Sequence, residues 1–239
     1  MVRGRLVLWD VDHTLLDAGG AGVALLRQAF TELFGHEFPV IPPLAGRTDR
    51  AIELEILTRA GVPDPHGQIL AFQRMVTDLA PGFGELVRRG GRVLPGAAEA
   101  LAAVAALAGA HGGRRVPVQS VLTGNLRVMA EVKLAALGLD QFLDLRVGAY
   151  GDDHEVRADL VPVARASAAA AYRADFGGDA TVLIGDTPLD IEAARRTGAR
   201  AVGVASGGFT MADLAVAGAD IVLPDLGDTP AVLAAILPG

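Results

Sequence analysis

The sequence has no cysteine among its 239 residues. That excludes disulfides, thiol nucleophiles and cysteine-ligated zinc. It has one lysine, Lys133, against twenty arginines. Any chemistry that needs a lysine has that one position to draw on. Aromatic residues make up only 5% of the chain. No apolar run approaches the roughly 20 residues of a membrane span. The first run ends at Asp10 after a strand's length, too early for a signal peptide. Excess positive charge is also lacking. The net charge is -7, which argues against nucleic acid and anionic membrane as partners. A soluble cytoplasmic protein is the expectation. Oligomeric state is not legible in the chain.

What is present is apolar. Hydrophobic residues make up 51% of the sequence, enough for a sizeable core. Short apolar runs read as strands at Leu6–Trp9, Val116–Leu122, Leu143–Val147, Thr181–Ile184, Ala201–Ala205 and Ile221–Leu223. Several are continuous instead of alternating, the mark of parallel strands buried on both faces. Helical patterns lie between them at Ala97–Ala108, Arg127–Leu137, Leu160–Phe176, Leu189–Thr197, Met211–Ala217 and Thr229–Leu237. Strand and helix in alternation imply right-handed crossovers and a doubly wound α/β fold with a parallel sheet.

The alternation breaks between Asp17 and Arg92. Helical patterns appear there at Ala21–Phe34, Asp49–Arg59, Gly67–Leu79 and Phe83–Arg89, punctuated by prolines, and no strand is convincing. So much helix is too long for one crossover. It reads as an inserted α-helical subdomain, with extra helices on the sheet face as the alternative.

Three strand ends carry polar groups. In "RLVLWDVDHTLLDAGG" the first apolar run delivers Asp10, followed by Asp12 and Thr14. In open α/β sheets ligands bind beyond the carboxyl ends of strands. Two carboxylates in one small space repel, so a cation or a shared proton must compensate. A hard divalent cation such as magnesium suits oxygen ligands. In "TVLIGDTPLD" a second strand runs into Asp186, with Asp190 one helical turn later. In "SVLTGN" a third ends with Thr123, Gly124 and Asn125 before a helix. A hydroxyl and exposed N–H groups at a helix start can seat a phosphate. Singly, each motif is also met by a surface turn or a simple helix cap.

Taken together, "DVDHTLLD", "LTGN" and "GDTPLD" resemble the first, second and fourth motifs of the haloacid dehalogenase-like hydrolase superfamily. "PLAGRTDRAI" resembles the loop that the helical cap of one branch, the phosphoglycolate phosphatase-like one, lowers over the active site. "VLPGAAEALAAV" resembles the return from cap to core. The resemblance implies a core of residues 1–16 and 93–239 and a cap of residues 17–92. It implies a magnesium-dependent phosphatase that hydrolyses a small phosphomonoester, phosphoglycolate-like, a sugar phosphate or a nucleotide. Asp10 would be the nucleophile that forms an aspartyl-phosphate, and Asp12 the general acid and base. Mg²⁺ would be held by Asp10, the backbone carbonyl of Asp12 and Asp186, with Asp190 supporting. Thr123, Gly124 and Asn125 would bind phosphoryl oxygens. Thr14 would support the nucleophile loop beside the substrate, and Arg47 would contact substrate from the cap. His13 occupies a freely varying motif position and is assigned no role. The cap's hinges would lie near Asp17–Gly20 and Arg89–Gly91.

One feature departs from the family pattern. Its third motif supplies a lysine that pairs with the nucleophile, and the corresponding stretch here has none. Arg157 is the best substitute, because pairing needs only a cation. Lys133 is the rival, although about two turns along its helix it reads as a solvated side chain. Arg165, further along, reads as a surface residue. Asp12 and Asp186 argue against a metal-free dehalogenase. The absence of lysine from residues 17–92 excludes a phosphonatase working through a Schiff base. A sugar phosphomutase and a non-enzymatic phosphate- or metal-binding regulatory domain remain the alternatives.

Overall fold

The computed structural model describes residues 2–36, 40–110 and 117–237. In chain order the strands are β1 (Val2–Arg3), β2 (Arg5–Trp9), β3 (Leu16–Asp17), β4 (Arg92–Val93), β5 (Pro117–Val121), β6 (Ala174–Asp175), β7 (Thr181–Gly185), β8 (Arg200–Val204) and β9 (Ile221–Leu223). The helices are α1 (Ala21–Phe34), α2 (Asp49–Arg59), α3 (Pro65–Gly90), α4 (Ala97–Ala110), α5 (Arg127–Ala136), α6 (Arg157–Tyr172), α7 (Pro188–Arg196), α8 (Met211–Ala217) and α9 (Thr229–Ile236).

Five strands form one parallel sheet in the order β5-β2-β7-β8-β9. Both faces are covered, which is why the strands read as unbroken apolar runs. Leu6, Val7, Leu8 and Trp9 are all fully buried. Val7 and Trp9 join the core on one face, Leu6 and Leu8 the core on the other. Because β2 lies between β5 and β7, the strand order reverses around it. That reversal opens a crevice at the carboxyl ends of β2, β5 and β7, where Asp10, Thr123 and Asp186 follow their strands.

Helices α1, α2 and α3 lie between β3 and β4 in the chain. β3 and β4 pair antiparallel, so the chain leaves and returns at one place. The two connecting stretches touch: a Cβ on Gly19, at φ +63°, would lie 2.3 Å from Gly90 O.

Four expectations need correction. Leu143–Val147 is not a strand. Asp144 accepts a hydrogen bond from the Arg146 backbone at 3.2 Å, and Leu145–Val147 closes into a 3₁₀ turn. A local Asp turn here outcompetes ladder pairing, although Val147 is buried and Asp144 N donates to Gln119 O of β5 at 2.9 Å. The two helices expected at Gly67–Leu79 and Phe83–Arg89 are one helix, α3, running through Pro81. A buried stripe of Ile69, Phe72, Val76, Ala80, Phe83 and Val87 continues across the proline, and its packing outweighs the local cost of about 3 kcal/mol. The helix expected from Leu160 begins at Arg157 and ends at Tyr172. Arg165 is half-buried, not a free surface side chain: it donates to Thr181 Oγ1 at 2.9 Å, Thr197 O at 2.9 Å and Gly178 O at 2.8 Å. Val116, at the start of one expected strand, lies outside the described residues.

Candidate active site

The last hydrogen bond of β2 to β7 fixes the first carboxylate: Asp10 N donates to Ile184 O at 2.8 Å. Asp10 is buried beside Asp186 and Asp190. Oxygens of these three acids all lie within 4.8 Å of one another. Asp190 is held by the start of α7, where its Oδ2 accepts from Thr187 N at 3.1 Å and Thr187 Oγ1 at 2.7 Å. Its other oxygen is 2.6 Å from Arg157 Nη2 but has no aligned donor. The same Nη2 donates to Asp10 Oδ1 at 2.6 Å. One guanidinium therefore serves two carboxylates, and Asp186 stands beside them without a cation of its own among the described residues.

The electrostatics follow from that shortage. Burial raises the Asp10 carboxyl to about 7; Arg157 opposes the rise and Asp190 adds to it. Burial, then the charges of Asp10 and Asp190, raise Asp186 to about 8. Asp10 and Asp186, which resist losing their protons beside a third buried carboxylate, are what a hard cation relieves. The oxygen-only donor set and the unaligned Asp190 oxygen fit a divalent metal.

The second carboxylate sits differently. Asp12 Oδ2 accepts from Lys133 Nζ at 2.6 Å and from Asn125 Nδ2 at 2.7 Å. Lys133 also donates to Asn125 Oδ1 at 2.5 Å. Desolvation pushes the Asp12 carboxyl up, but the Lys133 ammonium and the two hydrogen bonds outweigh it and hold the group below its ordinary range.

The sequence reading posed Arg157 and Lys133 as rivals and took Lys133 for a solvated side chain. Lys133 is buried, and both cations are in the site. Lys133 follows Asn125 by two turns of helix, but α5 starts against the strand ends, so the long side chain reaches back along the helix to Asp12.

The other expected residues fall around this pair. Thr123 is buried, and its Oγ1 accepts from Asn125 N at 3.2 Å and Asn125 Nδ2 at 2.8 Å. Its own hydroxyl proton is left to donate. Thr14 turns to Asp186, with Oγ1 3.5 Å from Oδ1. Gly124 must be glycine: a Cβ there would lie 1.9 Å from Arg47 O. That contact brings the loop before α2 down onto the strand ends. Asp49 N donates to Gly124 O at 2.6 Å, Thr48 Oγ1 to Glu155 O at 2.7 Å, and Arg157 Nη1 to Gly46 O at 3.4 Å. Arg47 lines the cavity, but its guanidinium pairs with Glu55 at 2.6 Å and donates to Pro43 O and Ala51 O. His13 is exposed, at φ 60°, and its carbonyl accepts from Ser206 Oγ at 2.6 Å.

Two acids escaped the sequence reading. Asp49 lines the same cavity and accepts from Leu126 N at 2.8 Å; burial raises its carboxyl to about 6. Its place in "GRTD", just behind Arg47, was the available signal. Glu53 is fully buried one turn on, accepts from Gln73 Nε2 at 2.8 Å, and has one oxygen without a partner. Burial raises it well above its ordinary value. Nothing in its sequence context marks it.

Asp10, Asp12, Asp49, Thr123, Lys133, Arg157 and Asp186 line a cavity of about 350 Å³ between the strand ends and helices α1, α2, α3 and α5. Among the described residues, no helix is long and apolar enough to cross a membrane.

Solved structures of similar shape are numerous. A hydrolase from Pseudomonas syringae is 25% identical, with a TM-score of 0.64 over 99% of this chain and 100% of that one. A candidate phosphoglycolate phosphatase from Lactobacillus plantarum is 15% identical, with a TM-score of 0.62 over 97% and 100%. A candidate β-phosphoglucomutase from Thermotoga maritima is 18% identical, with a TM-score of 0.60 over 98% and 100%. No curated protein matches the sequence. The family model for haloacid dehalogenase-like hydrolases matches residues 7–195, which takes in all three strand-end motifs. The chain belongs to the haloacid dehalogenase-like hydrolase family.

Proposed function

We propose that the protein is a metal-dependent phosphatase that cleaves a small phosphomonoester through a phosphorylated Asp10. One observation carries this reading. Two strand-end carboxylates, the buried Asp10 and the partly exposed Asp12, each pair at 2.6 Å with a separate buried cation. That division equips one carboxylate for attack and the other for proton transfer.

In the first step an Asp10 oxygen attacks the substrate phosphorus and the bond from phosphorus to the alcohol oxygen breaks. Asp12 gives its proton to the departing oxygen. The arriving phosphate dianion raises the proton affinity of Asp12, which Lys133 otherwise holds ionised. In the second step Asp12 takes a proton from water, the water oxygen attacks phosphorus, and the bond to Asp10 breaks. Inorganic phosphate leaves and Asp10 is restored. Thr123 Oγ1 and the Gly124 N–H donate to the phosphoryl oxygens. Arg157 orients Asp10 and offsets charge on the phosphoryl group.

Asp10, Asp186 and the Asp12 backbone carbonyl would hold the metal, with Asp190 behind them. Mg²⁺ fits the all-oxygen donor set, and when bound it neutralises the acids against the anionic phosphate. Residues 17–92 act as a cap over the site, hinged at the paired Gly19 and Gly90–Gly91 stretches. The test is release of phosphate from p-nitrophenyl phosphate by purified protein with Mg²⁺ and with chelator. Turnover that requires the metal is expected. A folded, metal-binding protein without turnover contradicts the reading.

A further inference from the structure

The cavity has two unlike walls. One is the strand-end cluster of acids. The other is apolar: Val23, Leu25 and Leu26 from α1, Ile52 from α2, Val76 from α3 and Met129 from α5. The charged residues around it are unevenly matched. Five carboxylates line it, Asp10, Asp12, Asp17, Asp49 and Asp186, against three cations, Arg47, Lys133 and Arg157. Each cation is already paired. Arg157 serves Asp10 and Asp190, Lys133 serves Asp12, and Arg47 serves Glu55 with two backbone carbonyls.

A second anionic group on the substrate would therefore meet no unpaired cation lining the described cavity. It would also lie near Asp49, and near Asp17, which Arg92 outside the lining offsets at 2.7 Å. A polyol would give up hydrogen bonds to water against the apolar wall, which is costly. A small apolar group gains on entering it. At about 350 Å³ the space is at the small end for ligand sites.

We infer that the alcohol this site releases is small, uncharged and apolar, so that its substrates are alkyl or aryl phosphomonoesters and not phosphorylated acids or sugars. The inference rests on the phosphatase reading for its chemistry, and on the cavity wall for its selectivity.

The experiment measures kcat/KM with Mg²⁺ for methyl, propyl and pentyl phosphate, with 2-phosphoglycolate and glucose 6-phosphate as comparators. The series is expected to rise about fourfold per methylene until the cavity fills. Both comparators are expected about tenfold or more below pentyl phosphate. A flat series, or either comparator matching pentyl phosphate, overturns the inference. Leu26→Gln should flatten the rise; if it does not fold, the near-isosteric Val23→Thr serves the same purpose. Glu55→Ala should release Arg47 and improve 2-phosphoglycolate about tenfold relative to wild type.

A binding measurement separates the two claims. The Asp10→Asn variant is titrated with pentylphosphonate and with phosphonoacetate by calorimetry. If no ester turns over, p-nitrophenyl phosphate included, the phosphatase reading fails. Pentylphosphonate binding about tenfold tighter then still upholds apolar recognition. Equal or reversed affinity overturns it.

Discussion

Asp10 and Asp12 leave the same strand two residues apart, and their surroundings act on them in opposite directions. Asp10 is pushed up to about 7, Asp12 down below the ordinary carboxylate range. Each has a cation at 2.6 Å, so cation distance does not separate them. What differs is how many acids share the cation. Arg157 is divided between Asp10 and Asp190, with Asp186 close by. Lys133 forms its ion pair with Asp12, with Asn125 completing the shell, and its charge also reaches Asp49. The crowded half is short of positive charge and invites a metal. The other half is balanced by the chain alone. One strand end thus supports two roles through neighbours contributed by α5, α6, α7 and the loops ahead of α5 and α7.

The comparison can be broken from either side. Asp10→Asn should cost on the order of 10⁴-fold or more in kcat, as loss of a covalent nucleophile does. The fold should persist, because the change removes a like charge from a crowded cluster; circular dichroism with kinetics checks both. Arg157→Ala should cost about 10²–10³-fold in kcat/KM, the usual loss for one transition-state charge partner. It should also lower stability by about 3–5 kcal/mol at pH 8, because Asp10 and Asp190 lose the cation they share, and by less near pH 6, where Asp10 keeps its proton. Urea unfolding at the two pH values measures this.

Lys133→Met should be milder, about 10–100-fold in kcat, because Asp12 remains but is no longer held ionised and oriented. Its signature is a shift. Without the ammonium the Asp12 carboxyl rises, so the limb of the pH–rate profile that it governs moves to higher pH. A limb that stays put while the rate falls would mean that Lys133 acts elsewhere.

The smallest expected effect concerns metal-free stability. Asp10 and Asp186 bind protons in the folded state up to about 7 and about 8, whereas in the unfolded chain they release them near 3.8. The folded state then holds more protons across that interval, so stability should fall as pH rises from about 4 to about 8. Mg²⁺ should raise Tm more at pH 8 than at pH 6, because at pH 8 it competes with fewer protons. Thermal scans with and without the cation test the slope.

How much of this the sequence disclosed depended on whether the cause was local. Parallel strands were legible because Leu6–Trp9 and Thr181–Ile184 are apolar without interruption, and that reflects burial on both faces. The strand-end acids were legible for the same reason. The single helix through Pro81 was not, because proline is a strong local signal and the overriding stripe is a matter of packing against other helices. Leu143–Val147 failed in the reverse sense: its apolar pattern was real, and an Asp144 turn set the backbone. Lys133 was misjudged because its distance along the helix was weighed without the direction of its side chain. Arg47 was expected to contact substrate; it lines the cavity, and its pairing with Glu55 depends on a side chain eight residues away across a helix start. Glu53 carried no signal, since a buried acid inside a helix with no clear apolar stripe looks like any surface acid until its neighbours are known.

The division of labour between the two carboxylates is the central claim, and trapping tests it most directly. Asp12→Asn should let Asp10 attack an activated ester such as p-nitrophenyl phosphate, which needs little help in departing. It should then stall before water attacks. Acid quenching followed by peptide mapping should find a phosphoryl group on Asp10. A phosphoryl group on another residue, or wild-type turnover by Asp12→Asn with no phosphorylated Asp10, would contradict the account.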